Sequence, residues 1–454
     1  MNAAKPVRRF LTTCWHSLFL PVALAGCLAA RAAAPPDAAA ELFWPQWRGP
    51  LATGEAPRAE PPLTWSETNN VKWKTAIPGE GDSTPIVWGD RVFLLTAIPT
   101  GTATAPATND ASNGTLLAPT NIYQFVVLCL DRASGKVLWR RVARQEAPHE
   151  GRQENNTYAS ASPVTDGKLL LAFFGSRGLH CYDFEGNLKW EKDFGKMKTR
   201  LAFGEGASPA LWGGTVVVNW DQEVGTNFIA ALDAATGREL WRAPRDEGMG
   251  WSTPLIVERD GRRQVIVNVT KKVRAYDLAT GREIWSCAGQ TQNAIPSPVA
   301  ADGVVYLTSG FRGNALQAIR LDREGDLTGT DAIVWSHNKN TPYVPSPLLT
   351  DHLLYLISNL DAIVSCFDAA TGQAWFEHER LEGIHGVYAS PVSAGDRVYI
   401  LGRDAACVVL KKGPKPDVLA VNQLADERSD ASLALTGKDL FLRTAHHLYC
   451  LSQP

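Results

Sequence analysis

A Ser-x-Pro or x-Ser-Pro tripeptide followed by an apolar run recurs along most of this chain. The copies place a proline at residues 85, 163, 209, 254, 298, 347 and 391, so that successive spacings are 78, 46, 45, 44, 49 and 44. A period near 45 residues fits a four-stranded propeller blade. A unit of that size cannot bury its own apolar faces and must stack on its neighbours.

Each copy has the pattern of a small antiparallel sheet. After the Ser/Pro signal come alternating Val, Ile, Leu and Tyr segments bounded by Gly, Asp and Asn, which is typical of short strands joined by hairpin turns. A run ending in Asp, an Ala-x-Thr-Gly turn and a Trp-containing strand then complete most units. The pattern predicts four strands in each unit.

The recurring tryptophans suggest how the units stack. A large flat side chain at one blade position is expected to pack between neighbouring blades and to bury about 150–250 Å². The residues concerned are Trp73, Trp139, Trp190, Trp241, Trp285, Trp335 and Trp375.

Counting the strands at these positions gives eight units, because seven contain a Trp and a degenerate eighth at Val418, which lacks one, leads to Ser432. The chain begins with a Trp strand around Trp73 and ends with strands that lack one. We therefore predict an all-β, eight-bladed β-propeller with four-stranded antiparallel blades, in which the N-terminal strand closes the last blade. Closure of this kind removes open sheet edges.

These features resemble the PQQ-type (pyrroloquinoline quinone repeat) β-propeller family. The resemblance rests on the A-x-T-G-x-x-x-W signature of residues 234–241 and 279–285 and on the x-Ser-Pro strand starts; residues 44–50 (WPQWRGP) are similar to the start of many exported members. The family includes calcium- and quinone-dependent dehydrogenases and, separately, non-catalytic members such as BamB, a lipoprotein of the outer-membrane assembly machinery. The resemblance implies the fold and leaves both kinds of function open.

The N-terminus has the order of a secretory signal, with Lys5, Arg8 and Arg9 before an apolar stretch from residue 18 to 30. We predict a signal peptide over 1–31, an Ala/Pro-rich linker over 32–43 and the propeller over 44–454. Residues 24–27 (LAGC) resemble a lipobox that would lipidate Cys27, whereas residues 30–32 (ARA) resemble an ordinary cleavage site, and both interpretations stay open. The expected location is the periplasm, with a tether to the outer membrane if Cys27 is lipidated.

Charge and hydropathy limit the classes of partner that the chain is expected to bind. The formal net charge is −2 and no long basic run could follow a phosphate backbone, so we expect no nucleic-acid partner. No stretch reaches 18 uninterrupted apolar residues, so no transmembrane span is expected. We expect a monomer that binds proteins of the cell envelope.

The cysteines outside the export segment do not suggest a metal or haem site. Cys129, Cys181 and Cys366 occupy a slot that Ala231 and Ala275 fill in other copies, which is typical of a small buried position. No C-x-x-C, C-x-x-C-H or H-E-x-x-H spacing occurs.

The segments that precede the Ser/Pro signals should line one mouth of the central channel, because they lead into the innermost strands. Polar and aromatic side chains that converge there could form a binding pocket; the alternative is a set of solvated loops. The candidate channel-mouth residues are Asn156, Tyr158, Glu205, Trp251, Asn293, Tyr343, His385, Tyr388 and Arg428.

The sequence contains only part of the residue set that holds the cofactors in the family's quinone enzymes. The family's dehydrogenases hold the quinone with an adjacent-cysteine disulfide, a calcium ion and a catalytic Asp, and this chain has no Cys-Cys pair. Calcium takes six to eight oxygens, of which Glu205, Asn156 and Asn293 could supply a partial set. We therefore assign no catalytic, cofactor or metal residue. We favour a non-catalytic envelope scaffold, with a PQQ-dependent dehydrogenase-like or small-molecule-binding propeller as the alternative.

An insertion interrupts the first unit at residues 99–121. It is rich in Thr, Ala, Asn, Gly and Pro without periodicity, which predicts a surface loop. A partner-contacting arm is the alternative interpretation.

Overall fold

The computed structural model describes residues 39–103, 115–358, 362–424 and 427–453, together with residues 1, 3 and 4. From residue 39 onward the described residues belong to one compact unit. Nearly all of the expected signal peptide (1–31), residues 32–38 of the expected linker, Cys27 and residues 104–114 of the insertion lie outside the described residues.

The regular structure is almost entirely β. Among the described residues, three short 3₁₀ turns lie at Ala40–Leu42, Gly175–Arg177 and Arg200–Ala202. In chain order the strands are β1 (Val71–Ala76), β2 (Ile86–Trp88), β3 (Arg91–Ala103), β4 (Asn121–Asp131), β5 (Val137–Glu146), β6 (Val164–Thr165), β7 (Leu169–Phe173), β8 (Leu179–Asp183), β9 (Leu188–Lys192), β10 (Ala210–Trp212), β11 (Thr215–Trp220), β12 (Asn227–Asp233), β13 (Glu239–Arg245), β14 (Leu255–Arg259), β15 (Arg262–Val269), β16 (Lys272–Asp277), β17 (Glu283–Ala288), β18 (Val299–Ala301), β19 (Val304–Ser309), β20 (Ala315–Arg320), β21 (Gly325–Asp326), β22 (Ile333–His337), β23 (Leu348–Thr350), β24 (Leu353–Ser358), β25 (Ile363–Asp368), β26 (Ala374–Arg380), β27 (Val392–Ala394), β28 (Arg397–Leu401), β29 (Ala406–Lys411), β30 (Val418–Gln423), β31 (Ala434–Thr436), β32 (Asp439–Arg443) and β33 (His447–Ser452).

These strands form eight antiparallel blades, which confirms the predicted propeller. Blades 1 to 7 follow the chain, from β2–β5 to β27–β30. Blade 8 combines β31, β32 and β33 with β1, which pairs antiparallel to β33 and places Trp73 opposite Cys450. The N-terminal strand therefore closes the ring, as predicted.

The apolar residues of the strands fill the space within and between blades, which explains their alternation in the sequence. Among the described residues no helix is long and apolar enough to cross a membrane. The six described cysteines are buried and free.

Five of the seven repeat tryptophans donate their indole N–H to a backbone carbonyl of the next blade. Trp335, for example, donates to Ala369 O at 2.9 Å, and Gly372 of the Thr-Gly turn leaves room for its ring: a Cβ there would lie 2.5 Å from the indole. The other four pairs are Trp73 to Arg132 O, Trp139 to Phe184 O, Trp190 to Ala234 O and Trp241 to Leu278 O.

Two tryptophans depart from the expected packing between blades. Trp285 is fully buried and donates to Gln264 Oε1 of its own blade, because blade 4 gains a fifth, parallel strand, β21, beside β17. Trp375 is 51% exposed. Its expected position between blades is wrong, because Phe376 takes the position opposite Cys366 that corresponds to the tryptophan position of the other six repeats.

The Ser/Pro signals form a closed ring of hydrogen bonds around the channel, which we call the hydroxyl crown. In each copy the backbone N–H of the Ser or Thr that begins an inner strand donates to the hydroxyl of its counterpart in the next blade, at 2.9–3.1 Å. The crown residues are Thr84, Ser162, Ser208, Thr253, Ser297, Ser346, Ser390 and Ser432.

The segment before β1 closes the far end of the channel. Residues 44–56 form backbone hydrogen bonds with the inner strands of blades 1, 2, 6 and 7. In each of these blades the partner lies three residues after the crown residue in the chain. At its centre Arg48 is buried and donates to the carbonyl oxygens of Thr53, Pro347 and Pro391. The channel is therefore open at its opposite end, on the side of the crown away from residues 44–56. We call this open end the channel mouth.

Two of the expected connecting segments have more structure than predicted. Residues 99–103 of the insertion continue β3, and Asn121 begins β4, because the two strands extend as one long hairpin. At the end of the expected linker, the carbonyl of Leu42 accepts a hydrogen bond from Thr436 in blade 8.

Candidate functional site

A cavity of about 380 Å³ runs from the channel mouth along the crown to Trp47. Its wall combines six aromatic rings, five crown hydroxyls and two carboxylates. The principal lining residues are Trp47, Phe203, Trp251, Phe311, Tyr343, Tyr388, Ser162, Ser208, Thr253, Ser390, Ser432, Asp82, Asp430, Asn155 and Asn156.

The structure brings some of the predicted mouth residues together at this cavity and separates others. Asn156, Trp251, Tyr343 and Tyr388 line it. Tyr158 and Glu205 line a smaller neighbouring cavity that Trp251 also borders. Asn293 is buried beside Tyr343, Arg428 lies at the rim, and His385 is exposed to solvent.

The aromatic rings of the cavity are held in fixed orientations. Trp251 donates its indole N–H to Gly204 O at 2.7 Å. Phe311 and Tyr343 stack with ring centroids 5.1 Å apart. The guanidinium of Arg403 lies 4.2 Å from the centre of the Tyr388 ring. Flat apolar surfaces are therefore presented to the cavity in a preorganised arrangement.

Asp82 and Asp430 are paired with arginines on one side of the mouth. Asp430 accepts a hydrogen bond from Arg403 Nε at 2.7 Å and forms an ion pair with Arg428, whose Nε lies 3.1 Å from the other carboxylate oxygen. Arg428 Nη2 also lies 3.5 Å from Asp82 Oδ1. Burial, and to a smaller degree the charge of Asp430, raises the pKa of Asp82 to about 6. Beneath them burial lowers the pKa of Arg443 to about 10, although its Nη1 donates to two carbonyls.

Glu205 is also engaged in internal contacts. One of its oxygens lies 3.2 Å from Arg177 Nη1, and the other accepts the backbone N–H of Ser176 at 2.6 Å. Arg177 is 4% exposed and packs over the ring of Phe125. The carboxylate is part of a buried ion pair.

The three oxygen donors considered for calcium do not form a coordination site. The amide oxygen of Asn156 already accepts hydrogen bonds from Thr157 N at 2.8 Å and Ser160 Oγ at 2.6 Å. Glu205 is occupied by Arg177, and the described residues contain no group of three or more His, Cys, Asp or Glu arranged to hold a metal ion. The side chains of Asn156 and Glu205 therefore do not fit the calcium site of the family's dehydrogenases.

Three exposed leucines lie near one another at the rim. Leu116 and Leu117, at the described end of the insertion, are 36% and 55% exposed, and Leu201 is 39% exposed. The backbone N–H of Leu116 donates to Leu201 O at 3.1 Å. We call these residues the rim leucines.

The rim leucines, the crown and the position of Trp47 were not predicted from the sequence. Leu116 and Leu201 belong to different blades, so no local pattern connects them. The crown was visible as the recurring Ser/Thr before each proline, but its hydrogen bonds depend on the ring geometry. Trp47 stood in the N-terminal signature without an assigned position.

Comparisons with known proteins agree with the fold. The family model described as outer membrane protein assembly factor BamB matches residues 124–377 and 225–453, which together span more than two thirds of the chain. Comparison with curated protein sequences finds no match.

Similar solved structures include both kinds of propeller. BamB from Moraxella catarrhalis is 14% identical, with a TM-score of 0.54 over 84% of this chain and 96% of that one. A europium-containing methanol dehydrogenase is 10% identical, with a TM-score of 0.62 over 91% of this chain and 98% of that one. The quinohemoprotein alcohol dehydrogenase ADHIIG from Pseudomonas putida HK5 is 12% identical, with a TM-score of 0.57 over 91% and 81%. At these identities the likenesses establish the shared fold.

Proposed function

The chain belongs to the family of outer membrane protein assembly factor BamB, and on that premise we propose that it is a non-catalytic scaffold of the cell envelope that binds a partner protein at the rim of the channel mouth. It acts as a monomer, with one such rim on each molecule. The partner presents an apolar surface segment to the rim leucines.

The observation that carries this proposal is the cluster of rim leucines. Exposed apolar clusters bordered by polar residues are typical of protein interaction sites. Leu201 has a φ of +48° and the following Ala202 a φ of +57°, a left-handed conformation that is uncommon outside glycine and costly for a bulky residue. The backbone therefore holds Leu201 beside Leu116 in spite of local strain.

The polar groups of the mouth support a binding role over a catalytic one. Catalytic acids and bases need access to a substrate and a proton to exchange. Here Asp430 and Glu205 are held by Arg403 and Arg177. Such pairs fix the shape of the rim, and a preorganised surface loses less conformational entropy when a partner binds.

The envelope location rests on the N-terminal sequence. Export through the N-terminal signal places the propeller in the periplasm, and cleavage before Cys27 with lipidation of that residue tethers it to the outer membrane. Labelling of cells with a radioactive fatty acid tests the tether: the wild-type chain should carry the label and Cys27→Ser should not. Label-free wild-type protein, cleaved near residues 30–32, would show that the chain is released instead.

The binding role is tested by chemical cross-linking in cells that produce the tagged full-length chain, followed by purification from the envelope fraction. The triple variant Leu116→Ser, Leu117→Ser, Leu201→Ser should recover at least tenfold less of the cross-linked envelope protein than wild type. The matched control replaces Val137, Leu138 and Val142 by Ser, since these residues are 40–46% exposed on the outer strand of blade 1, away from the mouth.

The control should recover as much partner as wild type. Equal recovery by the rim variant, or equal loss in both triple variants, would contradict a docking site at the rim leucines.

A quinone-dependent dehydrogenase is the second candidate, favoured by the two dehydrogenase structures and by the size of the cavity. The occupied oxygens of Asn156 and Glu205 count against it.

A further inference from the structure

We propose that the channel cavity binds a neutral, polyhydroxylated ring compound of the size of a mono- or disaccharide, held by the hydroxyl crown and the aromatic wall. This site lies below the rim leucines and does not depend on the scaffold role. The inference is carried by the hydrogen-bond balance of the crown, the charge of the lining and the orientation of the rings.

The O–H groups of the crown hydroxyls donate to no other described residue. A Ser or Thr hydroxyl carries one O–H donor and two acceptor lone pairs. Each crown oxygen accepts a backbone N–H from the neighbouring blade, yet none of the eight hydroxyls donates to another described residue. Seven of the eight residues are at most 5% exposed, and five crown residues line the cavity. At the five positions that line the cavity, the O–H groups are therefore available to acceptor atoms of a ligand.

The charge of the cavity wall selects against ions. The carboxylates of Asp82 and Asp430 line the cavity, which disfavours an anionic ligand such as a polycarboxylate. Both carboxylates are already paired with arginines, which leaves them less available to a cation. A neutral ligand rich in oxygen acceptors fits both constraints.

The aromatic wall supplies the second contact of such a ligand. A sugar ring has hydroxyls at its edge and C–H groups on its faces, and the faces of aromatic rings carry negative charge density that attracts polarised C–H groups. Trp251 and the stacked Phe311–Tyr343 pair line the cavity in fixed orientations and are the rings available for this contact.

The dimensions agree with this ligand class. Cavities of 300–1,000 Å³ are usual for small-molecule sites, and this one measures about 380 Å³. Trp47, which donates its indole N–H to the crown residue Ser432 at 3.4 Å, lies at the closed end. A ligand enters from the mouth and contacts the crown before it reaches Trp47.

The site can be tested by isothermal titration calorimetry of the purified full chain with glucose, N-acetylglucosamine, maltose and cellobiose, with citrate and choline as the anionic and cationic comparisons. Fluorescence of Trp47 and Trp251 provides a second readout. At least one neutral saccharide should bind saturably, and at least tenfold more tightly than citrate or choline.

Two variants connect the binding to the proposed contacts. The double substitution Ser208→Ala, Ser390→Ala removes two crown donors and should weaken saccharide binding by about tenfold; Trp251→Leu removes one ring face and should weaken it independently of the crown. The matched control is Ser365→Ala, a buried serine of blade 6 that likewise accepts a backbone N–H, at 3.2 Å from His378 N, but does not line the cavity. Absence of saccharide binding by wild type, or unchanged binding in both Ser208→Ala, Ser390→Ala and Trp251→Leu, would overturn the proposal.

Discussion

At the residue scale, Asp82 shows how its neighbours control the charge of a mouth carboxylate. The side chain is 18% exposed and lies close to Asp430, and both effects favour the protonated form. Arg428 and Arg443 act in the opposite direction and compensate in part. The position of Asp82 before the Ser/Pro signal predicted that it would reach the mouth, but its burial could not be seen in the sequence.

Replacement of Asp82 by Asn should stabilise the protein at neutral pH. The folded-state pKa of about 6 lies above the unfolded value of 3.8, so the folded protein binds this proton more tightly, and the contribution of Asp82 to stability falls as the pH rises from about 4 to about 6. A shift of about two units corresponds to at most about 3 kcal/mol.

Urea unfolding at pH 4.5 and pH 7.5 measures this effect. The stability difference between Asp82→Asn and wild type should favour the variant more strongly at pH 7.5. Asp260→Asn, at a carboxylate that is 88% exposed, is the matched control. A difference between Asp82→Asn and wild type that does not change with pH, or that changes in the opposite direction, would be inconsistent with the burial of Asp82.

At the element scale, the Trp strand shows what a repeat pattern can predict and where it fails. The pattern predicted the strand and, in five blades, the packing of its indole against the next blade. It failed at Trp375 because this residue lies one position before the one that the other tryptophans share, where Phe376 stands instead. The added strand β21 was missed because blade 5 supplies it to blade 4, which the pattern of a single unit does not encode.

Tryptophans that pack against the next blade and those that do not should respond differently to truncation. Trp335→Ala removes a half-buried indole, its hydrogen bond to Ala369 O and its contact with the turn of blade 6, and should destabilise the protein by about 2–3 kcal/mol. Trp375→Ala should cost less than about 0.5 kcal/mol, because the ring is 51% exposed. Denaturant unfolding of both variants tests the comparison, and equal losses would show that exposure does not separate the two positions.

At the scale of the whole molecule, the fold followed from the sequence more completely than the site did. The number of blades, their strand order and the closure by β1 follow from the repeat, because each depends on the period alone. The cavity depends on how eight separate loops and residues 44–56 meet around one axis. That arrangement brought Asn156, Trp251, Tyr343 and Tyr388 together but left His385 in solvent.

Ring closure should govern the cooperativity of folding. A chain that begins at residue 77 lacks β1 and leaves the edge of β33 unpaired, so we expect it to aggregate, because unpaired strand edges recruit other chains. A chain that begins at residue 39 retains closure and should be monomeric with a single unfolding transition. Size-exclusion chromatography and thermal unfolding distinguish these results; a monomeric, cooperatively folded chain from residue 77 would contradict the role of β1.

The claim that this propeller is a scaffold and not a quinone enzyme is tested most directly by reconstitution of the purified full chain with pyrroloquinoline quinone and calcium. The engaged oxygens of Asn156 and Glu205 and the acidic cavity wall predict no stoichiometric quinone absorbance after removal of free cofactor, and no reduction of an electron-accepting dye by alcohols. A bound quinone spectrum together with alcohol-dependent dye reduction would contradict the account.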